Sequence, residues 1–131
     1  MNALGMQKLL VTAEEVFAVN GKIRWVAMAS DKGDVLLNQN RPGVPSHSPA
    51  AFDREFVTLG PLTIIGVCEK YSEYLKGVEH VVVWYGLVAC VYARLGTQIL
   101  AVSIEKDPEA IVAFEHWLER KQKEATKSNR H

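Results

Sequence analysis

Ser103-Ile104-Glu105-Lys106 has the spacing S-x-x-K, in which a lysine one helical turn after a serine can activate its hydroxyl as a nucleophile. That chemistry needs both side chains on one helical face. The surrounding residues read as the end of a strand, so the match is not expected to be catalytic. His47, His80, His116 and His131 are scattered over a loop, a strand start, a helix and the terminus. None stands at a usual metal-ligand spacing from Cys68 or Cys90. Both cysteines lie in apolar segments and read as buried thiols of a reducing cytosol. Glu14-Glu15 and the pair Asp53, Glu55 have the spacing of solvated helix faces, not of a defined acid–base pair. Neither G-x-G-x-x-G nor G-x-x-x-x-G-K-[ST] is present, so nothing in the sequence cradles a phosphate. The expectation is a protein that is not an enzyme and has no cofactor or metal.

The composition narrows the partners. The chain has 131 residues, 15 basic and 15 acidic side chains and 48% hydrophobic residues. One globular domain of that size buries a core without disulfides. A zero formal charge lacks the surplus of cations that nucleic-acid binding requires. The longest apolar run, Val81 to Ala93, contains Gly86 and stops at Arg94, too short to span a bilayer. The N-terminal apolar stretch is interrupted by Lys8, Glu14 and Glu15 and does not read as a signal peptide. A cytoplasmic protein is expected.

Periodicity supplies the elements. Met6, Leu9, Leu10, Ala13, Val16 and Phe17 share one helical face, and Asn20-Gly21 offers a left-handed cap. Ile23 to Ser30 and Val35 to Gln39 read as a hairpin around Asp31-Lys32-Gly33-Asp34. Proline and glycine make Arg41 to Pro49 a loop. Ser48-Pro49 starts a helix, broken at Gly60-Pro61 and resumed from Pro61 to about Lys76, with Gly77 as its stop. Val78 to Tyr85, Leu87 to Leu95 and Thr97 to Ile104 are strands, the last two joined at Gly96. Their near-continuous apolar runs suit strands covered on both faces. Asp107-Pro108-Glu109 opens a last helix with Ile111, Phe114, Trp117 and Leu118 as its stripe. From Glu119 the chain is polar and net basic and is expected to fray into solvent. Residues 1–122 then form a single α+β domain, and residues 123–131 a basic tail.

That order resembles the roadblock (dynein light chain) family, in particular its archaeal and bacterial members. The resemblance rests on Ile23-Arg24-Trp25-Val26-Ala27 leading to Asp31-Lys32-Gly33-Asp34-Val35, and on Ile99 to Glu105 before the final helix. It covers about residues 5 to 122, and the Gly60-Pro61 break departs from the continuous central helix usual in the family. The resemblance implies a five-stranded antiparallel sheet of order 2-1-5-4-3, profilin-like, with helices on both faces. It further implies that strand three is an edge that pairs with its copy in a homodimer. It implies a scaffold whose partners are a Ras-like small GTPase or a larger protein assembly. The interface residues would be Val81, Val82, Val83, Trp84 and Tyr85. Physical chemistry points the same way, because this run has no lysine or proline to protect a free edge. Trp25 and Trp117 are expected in the core, Trp84 at the interface. The alternative is a PAS-like sensor with a small apolar ligand in a closed pocket between sheet and helices.

Overall fold

The computed structural model describes residues 8–47 and 58–128 of the chain. The helix start at Ser48-Pro49, and Met6, Asp53, Glu55, Arg130 and His131, lie outside the described residues. In chain order the elements are α1 (Ala13–Phe17), β1 (Ile23–Ser30), β2 (Val35–Asn40), α2 (Leu59–Glu69), α3 (Ser72–Leu75), β3 (Val81–Trp84), β4 (Val88–Leu95), β5 (Gln98–Glu105) and α4 (Pro108–Ser128). The five strands form one antiparallel sheet of order β2-β1-β5-β4-β3.

Both faces of the central strands are covered, which is why β4 and β5 are almost continuously apolar. On one face α1 and α4 bring Val16, Ile111, Phe114 and Leu118 onto Val26, Met28, Val91, Leu100, Val102 and Ile104. On the other, Ile65 of α2 packs on Cys90, Tyr92, Ile99 and Ala101. Alternation along β3 sends Val82 to the first layer and Val81 and Val83 to the second. Arg94 of β4 donates from Nε and Nη2 to the two carboxylate oxygens of Glu69, at 2.7 and 2.9 Å, and pins α2 to the sheet.

Turn chemistry behaves as the sequence leads one to expect at Gly33 and Gly96, whose φ values are +89° and +59°. Asp107 Oδ1 accepts from the Glu109 and Ala110 amides and caps α4.

Four boundaries differ from expectation. The first helix starts at Ala13, not near Met6, because Thr12 and Glu15 close a capping box. The Glu15 amide donates to Thr12 Oγ1 at 3.1 Å, and the Thr12 amide donates to Glu15 Oε1 at 3.3 Å. The chain before it runs past buried Gln98, whose Nε2 donates to the Lys8 carbonyl and whose Oε1 accepts from the Leu10 amide. Asn20-Gly21 is a turn and not a left-handed cap. The helix ends at Ala18 with right-handed geometry, and Asn20 Oδ1 accepts from the Lys22 amide.

Pro61 does not interrupt a helix among the described residues. It lies in the first turn of α2, where its missing N–H breaks no intrahelical bond. The helix that precedes the expected break lies outside the described residues, and a further interruption falls at Lys70-Tyr71, where α2 tightens into three-residue hydrogen bonds before α3. Lys76 and Gly77 end α3 with φ of +70° and +92°. Finally, α4 continues to Ser128 instead of fraying from Glu119. Lys121 pairs with Glu15 of α1, Gln122 donates to the Glu79 carbonyl, and Lys123 pairs with Glu119 at 3.3 Å.

Arg41, just after β2, holds the α1 end of the sheet. Its Nε donates to the Ile23 carbonyl at 2.6 Å, and its Nη2 to the Phe17 and Asn20 carbonyls at 2.7 Å each. Its guanidinium carbon lies 4.9 Å from the Phe17 ring centroid. Arg41→Ala leaves three carbonyls without that donor. Urea unfolding should show a loss of about 2–3 kcal/mol, at the scale of hydrogen bonds from a charged group. Arg41→Lys should recover less than half of it, since an ammonium lacks the planar fork. A loss below about 0.5 kcal/mol, the level of an ordinary surface change, would contradict this role.

Candidate functional site

The two outer strands are built differently. β2 carries Asn38, Gln39 and Asn40, and its register against β1 slips between Met28 and Ala29. A bulge and polar side chains are the usual protections of a free edge. β3 has neither. Val81, Val82, Val83 and Trp84 pair regularly with Tyr92, Val91, Cys90 and Ala89 of β4, and no strand lies beyond them among the described residues. β3 is shorter than the expected Val78 to Tyr85. Tyr85 belongs to the turn, where its amide donates to the Val88 carbonyl at 2.8 Å and closes the hairpin.

Of the five residues proposed for an interface, four thus line the open edge and Tyr85 ends it. Val81, Val82 and Val83 are half-buried against the two layers, while Trp84 is 55% exposed. Lys106 Nζ lies 5.9 Å from the Trp84 ring centroid. More apolar surface stands exposed on the segments flanking β3. Tyr71, Tyr74 and Leu75 at α3 precede it, and Leu87 follows it in the turn. With Trp84 and Tyr85, two leucines and four aromatics are exposed within a short stretch of chain, a composition enriched at contact surfaces. His80, at the foot of β3, shares a 2.7 Å hydrogen bond between Nε2 and Glu115 Oε2 of α4. It fixes where the edge strand begins.

The S-x-x-K residues are not brought together. Ser103 lies on the α2 face of the sheet, and Lys106 reaches the Trp84 ring. His47 lies in the loop after β2, apart from His80, and among the described residues no group of three His, Cys, Asp or Glu side chains is placed to hold a metal.

Trp117 is in the core, but Trp25 is only half-buried, contrary to expectation. It stands on β1 at the margin of the sheet face, and its Nε1–H donates to Asn38 Oδ1 at 2.7 Å. Beside it a cavity of about 320 Å³ opens on the α2 face. Of the two thiols, Cys90 is buried as expected, whereas Cys68 is partly exposed.

The open β3 edge, Arg41 and the Arg94–Glu69 clamp were beyond sequence periodicity in different ways. The edge can be read from a lysine-free valine run. The two arginines work through carbonyls and a carboxylate distant in sequence and leave no local signal.

With the geometry in hand, the chain can be set beside known proteins. No family model and no curated protein sequence matches it. Solved structures do. The gliding protein MglB of Thermus thermophilus superposes with a TM-score of 0.66 at 13% identity, over 88% of this chain and 85% of that one. The Roadblock/LC7 domain from Streptomyces avermitilis gives 0.58 at 13%, over 85% and 91%. MglB of Myxococcus xanthus gives 0.62 at 7%, over 90% and 99%. The protein has the roadblock/LC7 fold, with the five-stranded 2-1-5-4-3 sheet. At these identities the likeness is one of fold, and function must be argued from the surfaces.

Burial pushes the Cys90 thiol up to about 11, against a lowering by the hydrogen bond with Tyr92. The thiolate is the reactive form, so iodoacetamide at a pH of about 8 should label Cys68 and spare Cys90 in the folded protein. Peptide mass spectrometry reads the two sites separately. Equal labelling of both under native conditions would contradict the buried placement.

Proposed function

We propose that this protein is a non-enzymatic, homodimeric scaffold of the roadblock type that works in the cytoplasm and acts by binding other proteins. The single observation that carries this is the open outer edge of β3. It offers backbone groups that no strand meets among the described residues, flanked by valines and an exposed tryptophan, with none of the devices that protect β2. Antiparallel pairing with a second copy would satisfy those groups and join the two sheets into one of ten strands. A two-fold interface of that kind is self-complementary and is the commonest symmetry of soluble oligomers.

A four-residue edge spans only about 13 Å, too little for the roughly 800 Å² per partner that a stable association buries. Tyr71, Tyr74, Leu75 and Leu87, exposed on the flanking segments, are the candidates to supply the rest. The fold also agrees with this reading, since one neighbour of the same fold is described as MglB with a tetrameric arrangement, at a TM-score of 0.61 and 16% identity. The partner class follows from the resemblance to roadblock proteins: a Ras-like small GTPase or a larger assembly, docking on the dimer. No described helix is long and apolar enough to cross a membrane. The sensor alternative has one observation in its favour, the cavity beside Trp25. Among the described residues it is open on one side and not enclosed between sheet and helices.

Light scattering tests the reading. The wild-type chain should have the mass of a dimer at micromolar concentration. Val83→Lys and Trp84→Glu should each weaken association about a hundredfold, or about 2.7 kcal/mol, and run as monomers with an unchanged circular dichroism spectrum. A wild-type monomer at micromolar concentration would remove the proposal.

A further inference from the structure

β1 contains an irregularity that regular pairing does not require. Ile23 faces Ile104 and Trp25 faces Ser103, so Arg24 is the extra residue of a β-bulge against β5. The bulge lets Ile23 enter the α1/α4 core while Trp25, two residues later, lies on the opposite face. It also brings Arg24 to the same cavity as Trp25. Bulges concentrate beside functional sites because they re-aim a side chain in this way.

The cavity, about 320 Å³, is floored by one cross-strand row: Asn40, Trp25, Ser103 and Cys90 are successive partners on β2, β1, β5 and β4. Tyr85 in the β3–β4 turn forms its side toward the edge strand. Two of these groups are held in place before any ligand arrives. The Trp25 ring is fixed by its 2.7 Å bond to Asn38, and the Arg24 guanidinium donates from Nη2 to the Pro45 carbonyl at 3.0 Å.

The chemistry of the lining selects a ligand. Indole and phenol rings make flat apolar walls, suited to stacking. The Ser103 hydroxyl, the Asn40 amide and the remaining Arg24 N–H groups give hydrogen-bond donors and acceptors around them. A wholly apolar ligand would desolvate those groups without replacing their partners. The Arg24 charge is offset by Glu105, whose Oε2 lies 3.9 Å from Arg24 Nη1, and the other basic side chain of the lining is His47, a further ring. The volume lies at the small end of the range for ligand pockets. We propose that this cavity binds a flat, uncharged heteroaromatic ring of about nucleobase size, stacked beside Trp25 and hydrogen-bonded through Asn40, Ser103 and Arg24. The cavity is lined by one copy of the chain, although Tyr85 and Leu87 border both it and the proposed interface.

The test is a titration of the full chain followed by ¹⁵N–¹H NMR, with the Trp25 indole N–H as reporter and adenine, nicotinamide, indole and benzoate as probes. Adenine or nicotinamide should shift that resonance with a Kd at or below about 1 mM, and should bind more tightly than indole or benzoate. Ser103→Leu, which fills the floor, and Asn40→Ala, a change at an exposed strand end, should each weaken binding about tenfold, with the rest of the spectrum unchanged. Asn40→Ala keeps the test decisive should Ser103→Leu fail to fold. Silence of both heterocycles at about 5 mM would overturn the site. Tighter binding of benzoate or indole would overturn the ligand class, and wild-type affinity in Asn40→Ala would overturn the location.

Discussion

Four residues of backbone at the outer edge of β3 have hydrogen-bonding groups on one side that no neighbouring strand meets among the described residues. Backbone N–H and C=O groups are strong and obligatory formers of hydrogen bonds. Water can satisfy them, but the flanking valines and Trp84 gain by leaving water. A second strand would resolve both demands at once. Neighbouring elements define this edge. The α2 and α4 layers bury one side of it each, His80 and Glu115 fix where it starts, and the Tyr85–Val88 bond fixes where it ends. The result is a short strip held at both ends, an arrangement that would lower the ordering cost of the proposed pairing.

The opposite edge of the same sheet is built differently. β2 shows a register slip against β1 and ends in Asn38, Gln39 and Asn40. Its polar residues are used inward: Asn38 holds the Trp25 indole, and Arg41 beyond the strand collects three carbonyls from the α1 end. One edge carries polar side chains and a register slip, and the other is left apolar. That asymmetry gives the molecule a direction, with the cavity on the α2 face running between the two.

Much of this was legible in the sequence, and the reasons differ by element. β1, β4 and β5 are strands covered on both faces, so their apolar runs were strong and their bounds agreed with the structure to within a residue. The Gly33 and Gly96 turns needed a positive φ and showed it by residue type. The candidate edge was visible as Val81 to Tyr85 because what protects an edge is also written locally, as lysine, proline or a bulge, and was missing. The first helix was overextended because Leu9 and Leu10 fit its period, whereas the Thr12–Glu15 capping box stops it and Gln98, 88 residues after Leu10, takes up the chain before it. Polar α4 residues beyond Glu119 are held by Glu15 and the Glu79 carbonyl, partners no window of sequence contains. The Arg24 bulge is invisible for the same reason, being a property of the pairing and not of the strand.

The central claim is that β3 is completed by another β3. Hydrogen exchange of the backbone amides of Val81 to Trp84, followed residue by residue across a dilution series, tests it most directly. The amides that point away from β4 should be protected at high concentration and lose that protection on dilution, while those bonded to β4 stay protected throughout. Outward amides that exchange freely at every concentration would contradict the account.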